Sequence, residues 1–226
     1  MLNIQQQEAF NSIMQLKNNY FLTGFAGTGK SYLVHSIIEE CKKQNIEIAV
    51  ASTTWSSAVD IGGTTYHSLF GLFWMHYDGM EIRGLKRDFK DVELIIIDEI
   101  SMMWPDMLDL IDKKLRANTG YDLPFWWIKM LLVWDKKQLW PIYTGDKELI
   151  QKIQDKYGEL EFYCAKSFET FKEISLTEIM RSTDEKFLWL VNSIREWDNT
   201  PLLEFQKERV DNPESVHIAF RNDWVD

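Results

Sequence analysis

The feature that most constrains this chain is a glycine-rich segment, Gly24–Ser31, between an apolar run and an amphipathic stretch. Its sequence, GFAGTGKS, satisfies the pattern G-x-x-x-x-G-K-[ST] in full. The apolar run Tyr20–Thr23 predicts a strand, and apolar residues at helical spacing from Leu33 to Ile38 predict a helix. Strand, loop and helix in this order predict a site for the phosphates of a nucleotide, and a plain glycine-rich turn explains the pattern less well.

The residue types in this loop suit phosphates for separate reasons. Glycines let backbone N–H groups close on phosphate oxygens, and the N-terminus of the following helix adds the positive end of its dipole. Lys30 can reach the β- and γ-phosphate oxygens, and the Ser31 hydroxyl can ligate Mg²⁺. The predicted nucleotide-binding residues of the loop are Gly24, Ala26, Gly27, Thr28, Gly29, Lys30 and Ser31.

Further apolar runs predict the rest of an α/β domain. Ile46–Ala51, Leu94–Asp98 and Met130–Trp134 are strand candidates, and helical patterns such as Asp106–Leu115 separate them. The strand candidate Leu94–Asp98 is uniformly apolar up to its aspartate, which is typical of burial on both faces of a parallel sheet. The expected fold class is α/β, doubly wound, with a mostly parallel sheet flanked by helices.

Local patterns assign the remaining segments. Gln5–Leu16 carries apolar residues at helical spacing and predicts a lead-in helix. Leu72–Asp91 mixes aromatic residues, glycines and charges, and we expect an insertion or lid there. Asp146–Tyr163 is expected to be helical, Asp184–Arg195 to be an amphipathic helix opened by a capping box, and Val216–Phe220 to be a strand.

An acidic pair follows the uniformly apolar strand. Asp98 could hold Mg²⁺ beside a phosphate loop, and Glu99 could polarise an attacking water. An Asp-Glu pair after a strand is by itself more often a solvated helix cap. The phosphate loop elsewhere in the same chain favours the catalytic interpretation.

Composition argues against several classes of protein. The 226 residues carry a formal charge of −10, the opposite of the basic footprint of a protein held on nucleic acid by phosphate attraction. Cys41 and Cys164 have neither disulfide-framework nor zinc-site spacing. The N-terminal residues lack a signal-peptide pattern, and no apolar run approaches the ~20 residues that cross a membrane. We therefore expect a cytoplasmic protein without membrane contact.

Six motifs in a fixed order resemble those of the PIF-type branch of superfamily 1 DNA helicases, relatives of the RecD-like enzymes. The resemblance extends over nearly the whole chain, and six motifs in sequence are far more specific than any one. They lie at residues 2–6 (LNIQQ), 24–31 (GFAGTGKS), 61–68 (IGGTTYHS), 97–102 (IDEISM), 135–141 (DKKQLWP) and 176–181 (LTEIMR).

This resemblance implies a RecA-like P-loop NTPase domain of a helicase that moves 5′ to 3′ on DNA, with ATP and Mg²⁺ as cofactors. Gln138 would sense the γ-phosphate, and Arg181 would reach it as an arginine finger. Gln6 would bind the adenine edge, because an amide can donate and accept at once. The implied catalytic residues are Lys30, Glu99, Gln138 and Arg181, and the implied metal ligands are Ser31 and Asp98.

Single-stranded DNA is the partner that the resemblance implies, and hydroxyls and backbone amides would contact its phosphates. Such helicases hold a single strand through local contacts and stacking more than through a global basic field, so the acidic charge weakens this expectation without removing it. The implied DNA-contacting residues are Ser52, Thr53, Thr54, Thr64, Thr65 and His67.

The resemblance also implies a domain organisation. Residues 1–200 would form a first RecA-like domain, and residues 201–226 would hold a linker and the start of a second, truncated one. The ATP site of such an enzyme closes between two domains, so the second domain of the same polypeptide is an expected partner. We further expect a monomer that associates with the nucleoid when it is on DNA.

Two alternatives to a helicase motor remain at this stage. A decayed nucleotide-binding module could hold DNA or a protein without turnover. A phosphate-loop kinase is disfavoured, because Gln138 and Arg181 occupy helicase positions and no acceptor-binding pattern is found. The intact Lys30, Asp98 and Glu99 favour the enzyme over the decayed module.

Tryptophan is unusually abundant, at ten residues. In the clearest case the family pattern Gly-Asp-x-x-Gln-Leu-Pro-Pro becomes WDKKQLWP, which begins at Trp134. Two hypotheses explain this: the source lineage translates UGA as glycine and the sequence has been translated with UGA as tryptophan, or the chain is a degenerate, inactive relative. Tryptophan replaces the family's usual glycine at Trp55, Trp126, Trp127, Trp134 and Trp197.

Overall fold

The structure is a computed structural model that describes residues 1–72, 85, 88–119, 123–125, 127–135, 146–180 and 193. The chain divides into two units, Met1–Arg181 and Ser182–Asp226, and the elements given below belong to the first. Several predictions fall outside the described residues: those for Gln138, Arg181, Trp126, Trp197, most of Leu72–Asp91, the strand Val216–Phe220 and, apart from the helical Ser193, the helix Asp184–Arg195.

A six-stranded sheet lies at the centre of the first unit, and all its strand pairs are parallel. The strand order is β3-β2-β4-β5-β1-β6, which confirms the predicted α/β class. The strands are Asn19–Gly24 (β1), Ile48–Ser52 (β2), Thr64–Thr65 (β3), Leu94–Asp98 (β4), Lys129–Trp134 (β5) and Phe171–Leu176 (β6).

Helices connect the strands. They are Ile4–Met14 (α1), Lys30–Gln44 (α2), Trp55–Asp60 (α3), Tyr66–Phe70 (α4), Pro105–Thr119 (α5) and Lys147–Tyr157 (α6). The predicted helix Asp146–Tyr163 therefore extends six residues too far at its C-terminal end, because Gly158 at φ +85° ends α6 and a 3-10 turn, Phe162–Cys164, follows. Among the helices of the described ranges, none combines the length and apolar character that a membrane span requires.

Each face of the sheet buries its own hydrophobic cluster. On β4, Leu94 and Ile96 pack against one cluster, with α1 and α2, while Ile95 and Ile97 pack against the other, with α5. All residues of β4 are buried. The uniformly apolar pattern of this strand thus follows from helices covering both faces of the sheet.

The strand order determines which loops meet. Because all strands run in one direction, their carboxyl ends lie along one edge of the sheet. The segments that follow β4, β5, β1 and β6 are neighbours at this edge, and the segments after β2 and β3 continue it beyond β4. Ligand sites in open α/β sheets form outside such carboxyl ends.

Candidate nucleotide-binding site

A pocket of about 430 Å³ lies at the carboxyl ends of β4, β5 and β1. It brings together the glycine-rich loop and the acids that follow the buried strands. Its lining residues are Ala26, Gly27, Gly29, Lys30, Ser31, Tyr32, Asp98, Glu99, Trp134, Asp135 and Met180. Five of the seven loop residues predicted to bind nucleotide therefore line the pocket, while Gly24 and Thr28 do not.

The glycine-rich loop requires glycine at both of its defining positions. A Cβ on Gly24 would lie 2.6 Å from the carbonyl oxygen of Leu176 on β6. Gly29 begins α2 at φ +80°, in the left-handed region, and a Cβ there would meet the amide nitrogen of Gln6. Thr28 shapes the loop from inside, since its buried hydroxyl donates to the carbonyl of Phe25 at 2.8 Å.

Lys30 is held on the loop itself. Its Nζ donates to the carbonyl oxygens of Gly24 at 2.7 Å and Phe25 at 3.2 Å, and it lies 3.8 Å from Oδ2 of Asp135. The side chain is 13% exposed, so these contacts form in a partly desolvated setting. The ammonium group therefore lies in the pocket. It donates to carbonyl oxygens, and the phosphate oxygens of a nucleotide could take their place as acceptors.

The two predicted acids differ in environment. The pKa of the Asp98 carboxyl is raised from 3.8 to about 6: burial is the largest cause and the Glu99 charge adds to it, whereas the hydrogen bond from the Glu99 N–H and the charges of Lys30 and His35 lower it. That N–H donates to Oδ1 of Asp98 at 2.9 Å. Glu99 is less buried and has a left-handed backbone at φ +53°. A desolvated carboxylate in this position gains from a cation nearby.

Gln6 is buried and does not line the pocket. Its Nε2 donates to the carbonyl of Thr28 at 3.0 Å, and its Oε1 accepts from the Asn3 N–H at 3.0 Å within the capping box of α1. Both ends of the amide are thus occupied by the protein. Adenine binding by Gln6 stays a prediction that requires these bonds to be exchanged.

The segment after β6 is bonded to both α1 and the loop. The N–H of Met180 donates to the carbonyl of Gly27 at 2.7 Å. Oε1 of Gln5 accepts from the backbone N–H groups of Thr177 at 3.1 Å and Glu178 at 3.2 Å. The residue immediately before Arg181 is thereby fixed against the phosphate loop.

The predicted DNA-contacting segments meet at the carboxyl ends of β2 and β3, where Ser52 pairs with Thr65. Thr54 and Thr65 are N-caps, accepting from the N–H groups of Ser57 and Ser68. Ser52 is fully buried and its hydroxyl donates to the carbonyl of Asp98 at 3.1 Å, so DNA contact by this side chain stays a prediction that requires the bond to be exchanged.

The chain matches the model of one protein family over most of its length. The family model described as PIF1-like helicase matches residues 1–203. The chain belongs to the PIF1-like helicase family. The resemblance seen in the sequence is thereby confirmed.

Curated relatives carry helicase names. The chain is 30% identical over 204 residues to ATP-dependent DNA helicase RRM3 of Saccharomyces cerevisiae, covering 86% of this chain and 27% of that protein. It is 32% identical over 221 residues to ATP-dependent DNA helicase Pif1 of Campylobacter jejuni, covering 89% of this chain and 46% of the relative. This PIF1-like chain thus spans less than half the length of these relatives.

Solved structures of Pif1 share the fold. Bacteroides Pif1 in complex with ADP-AlF3 and ssDNA matches with a TM-score of 0.83 and 32% identity, over 96% of this chain and 52% of that one. A structure of two coordinating Pif1 helicases at forked dsDNA matches with a TM-score of 0.86 and 34% identity, over 100% of this chain and 56% of that one. The fold of this PIF1-like domain is therefore RecA-like, as predicted.

Several residues that line this PIF1-like site were not predicted from the sequence. Asp135 directly follows buried β5, as Asp98 follows β4, and this shared position is a signal that could have identified it. Tyr32 and Met180 line the pocket without any local signal. Trp134 also lines it while its ring packs in the core, with centroids 5.5 Å from Phe162 and 6.3 Å from Phe21.

Asp98→Asn should stabilise the nucleotide-free PIF1-like fold above about pH 6 by on the order of 1–3 kcal/mol. Below about pH 4 the carboxyl is neutral in both states. Between about pH 4 and 6 only the unfolded chain releases this proton, so the wild type loses stability as pH rises through that window. Urea unfolding of both proteins without nucleotide or divalent ions measures the difference.

The exposed Asp91, just before β4, provides the control for that substitution. Asp91→Asn should change the free energy of unfolding by less than about 0.5 kcal/mol both above about pH 6 and below about pH 4. An Asp98→Asn protein less stable than the wild type at about pH 8 would contradict the desolvation argument.

Proposed function

We propose that this chain is the first RecA-like motor domain of an ATP-dependent DNA helicase that moves 5′ to 3′ on single-stranded DNA. One observation carries the proposal: the pocket that holds Lys30, Asp98 and Glu99 adjoins the carboxyl end of β2, where Ser52 and the following Thr53 bond directly to the acid pair. Family membership supports it, since relatives are named ATP-dependent DNA helicases.

ATP would lie with its phosphates on the loop after β1. Lys30 exchanges its bonds to the Gly24 and Phe25 carbonyls for bonds to the β- and γ-phosphate oxygens, where it neutralises charge that develops in phosphoryl transfer. Glu99 accepts a hydrogen bond from the attacking water and orients it towards the γ-phosphorus. Gln138 would sense the γ-phosphate, and Arg181 would reach it as an arginine finger.

The residues present fit Mg²⁺. Two carboxylates, those of Asp98 and Glu99, and the Ser31 hydroxyl line one pocket, and oxygen ligands are the set that Mg²⁺ prefers. Asp98 and Ser31 would hold the ion. When bound, it would neutralise charge on the β- and γ-phosphates. The raised pKa of Asp98 agrees with a carboxyl that is costly to ionise in the absence of a cation.

Single-stranded DNA would run across the carboxyl ends of β2 and β3. Thr64, Thr65 and His67 lie there on β3 and at the start of α4, beside Thr54. Bacteroides Pif1 has been solved with ssDNA. A second RecA-like domain would complete the ATP site, so the proposed activity belongs to the longer polypeptide.

The test compares the full-length gene product with the 226-residue chain. We expect the full-length protein to hydrolyse ATP faster when single-stranded DNA is added and to unwind a duplex with a 5′ single-stranded tail. The chain alone should show little of either, because half of the composite site is absent. Nucleotide binding without DNA-stimulated turnover by the full-length protein would contradict the proposal and favour the decayed module.

A further inference from the structure

The segment after β2 is hydrogen-bonded to the acid pair after β4. The hydroxyl of Thr53 donates to the carbonyl oxygen of Glu99. The N–H of Thr53 approaches the carbonyl of Asp98 at 3.4 Å, which continues the β2–β4 ladder by one residue beyond the pair Ser52 and Asp98. Two strands that are neighbours in the sheet are thus joined past their ends by a side chain.

The backbone of Glu99 has an uncommon conformation. Its φ of +53° lies in the left-handed region, which a residue with a side chain rarely adopts and which needs support from its surroundings. That support comes from both sides of the residue. The Asp98 carboxylate accepts from the Glu99 N–H at 2.9 Å, and the Thr53 hydroxyl donates to the Glu99 carbonyl.

The direction of the Glu99 side chain depends on this conformation. The 3-10 turn Ile100–Met102 begins directly after Glu99, so the residue marks the change from strand to turn, and its side chain lines the pocket. Rotation of φ towards the common negative region would turn the Cβ, and with it the carboxylate, away from its present direction. A bond that fixes the Glu99 carbonyl therefore also fixes the direction of the Cα–Cβ bond from which the carboxylate extends.

We infer that Thr53 is a positioning residue for ATP hydrolysis: its hydroxyl holds Glu99 in the left-handed conformation that aims the carboxylate into the nucleotide pocket. This inference rests on the proposed function. It changes the role of Thr53 from a DNA ligand to a link between the segment after β2 and the acid that orients water. A strand of DNA lying on this segment would then contact the same stretch of backbone that supports Glu99.

Thr53→Val tests the inference, because valine has nearly the same shape without the hydroxyl. In the full-length protein with saturating single-stranded DNA, we expect kcat for ATP hydrolysis to fall about tenfold. The KM for ATP and the Kd for DNA should stay within about twofold, because binding groups are untouched. Thr53→Ser keeps the hydroxyl and should restore most of kcat.

Ser57→Ala is the matched control. The hydroxyl of Ser57 lies 2.6 Å from that of Ser52, and Ser57 follows Thr53 by four residues in the chain. Its removal should leave kcat unchanged.

Three results would overturn the inference: an unchanged kcat in Thr53→Val, a weakened DNA Kd with normal kcat at saturation, or an equal loss in Thr53→Ser and Thr53→Val. The last result would indicate a packing role. A wild-type protein without DNA-stimulated hydrolysis would instead overturn the proposed function itself, so the two failures are distinguishable.

Discussion

Lys30→Ala should lower DNA-stimulated ATP hydrolysis by the full-length protein at least about 10²-fold. The reason is electrostatic: Lys30 lies 13% exposed in the pocket, and its ammonium group is the loop's positive charge beside the phosphate position. Alanine removes charge stabilisation of the transferring phosphoryl group, which the backbone N–H groups cannot replace. Steady-state hydrolysis at saturating single-stranded DNA measures the loss.

A contrasting variant and a control separate this effect from misfolding. Glu99→Gln should bind ATP and fail to turn it over, because only the group that orients water is changed. Lys43→Ala lies on the same helix, with a side chain 70% exposed, and should hydrolyse ATP like the wild type. Turnover near the wild-type rate in Lys30→Ala or Glu99→Gln would show that the catalytic assignment is wrong.

The parts of the fold that were predictable are those with local signals. The strands β1, β2, β4 and β5 coincide with apolar runs because both faces of the sheet are covered. The sixth strand, β6, lies at an edge of the sheet, and most of its residues are not buried, so its sequence FKEISL lacks the apolar run. The two-residue strand β3 is too short to leave any periodic pattern.

The residues of the site were also predictable only where they belong to local sequence motifs. The loop pattern and the Asp98-Glu99 pair are contiguous motifs, and the structure brings them into one pocket. The bonds from Thr53 to Glu99 and from Thr177 to Gln5 join residues far apart in the chain, at separations of 46 and 172. Such contacts depend on strand order, which no local pattern contains.

Strand order also explains how the acidic charge of the chain is compatible with phosphate binding. The described pocket places Lys30, the glycine-rich loop and the N-terminus of α2 at one point, which gives phosphates positive partners, while Asp98, Glu99 and Asp135 in the same pocket favour a cation beside them. Net charge is a property of the whole surface, whereas a nucleotide responds to the groups within a few ångströms of it.

The largest effect on stability that we expect concerns tryptophan. Under the recoding hypothesis, the gene carries UGA at codons 55, 126, 127, 134 and 197, and a protein with glycine at these five positions unfolds at a higher temperature than the sequence as written. Glycine costs on the order of 1 kcal/mol each in chain entropy, whereas an overpacked site costs ~1–3 kcal/mol or more. Sequencing the gene tests the codons. Thermal unfolding of the two proteins tests the difference in stability.

The structure limits the physical reasons for which glycine would be preferred over tryptophan at the described positions. Trp55, Trp127 and Trp134 are not among the described residues with positive φ, so backbone freedom is not the requirement at these three positions. Space is the remaining requirement, and it applies only to the buried Trp134. Trp55 and Trp127 are 75% and 41% exposed, while the ring of Trp134 lies between the core and the nucleotide pocket, beside Lys30 and Asp98. Glycine at 134 would leave this space to the nucleotide and its neighbours.

Trp104 makes the test sharp, because it is buried to the same degree as Trp134 and is not one of the five positions of the recoding hypothesis. Trp104→Gly should lower the free energy of unfolding by about 3–5 kcal/mol, and its codon should be UGG. In a protein that has glycine at the other four positions, Trp134→Gly should instead raise the free energy of unfolding. If codon 134 is UGG and Trp134→Gly destabilises as much as Trp104→Gly, tryptophan is the native residue there. The degenerate-relative hypothesis then accounts for the departure from the family pattern, and loss of turnover becomes the expected property of the full-length protein.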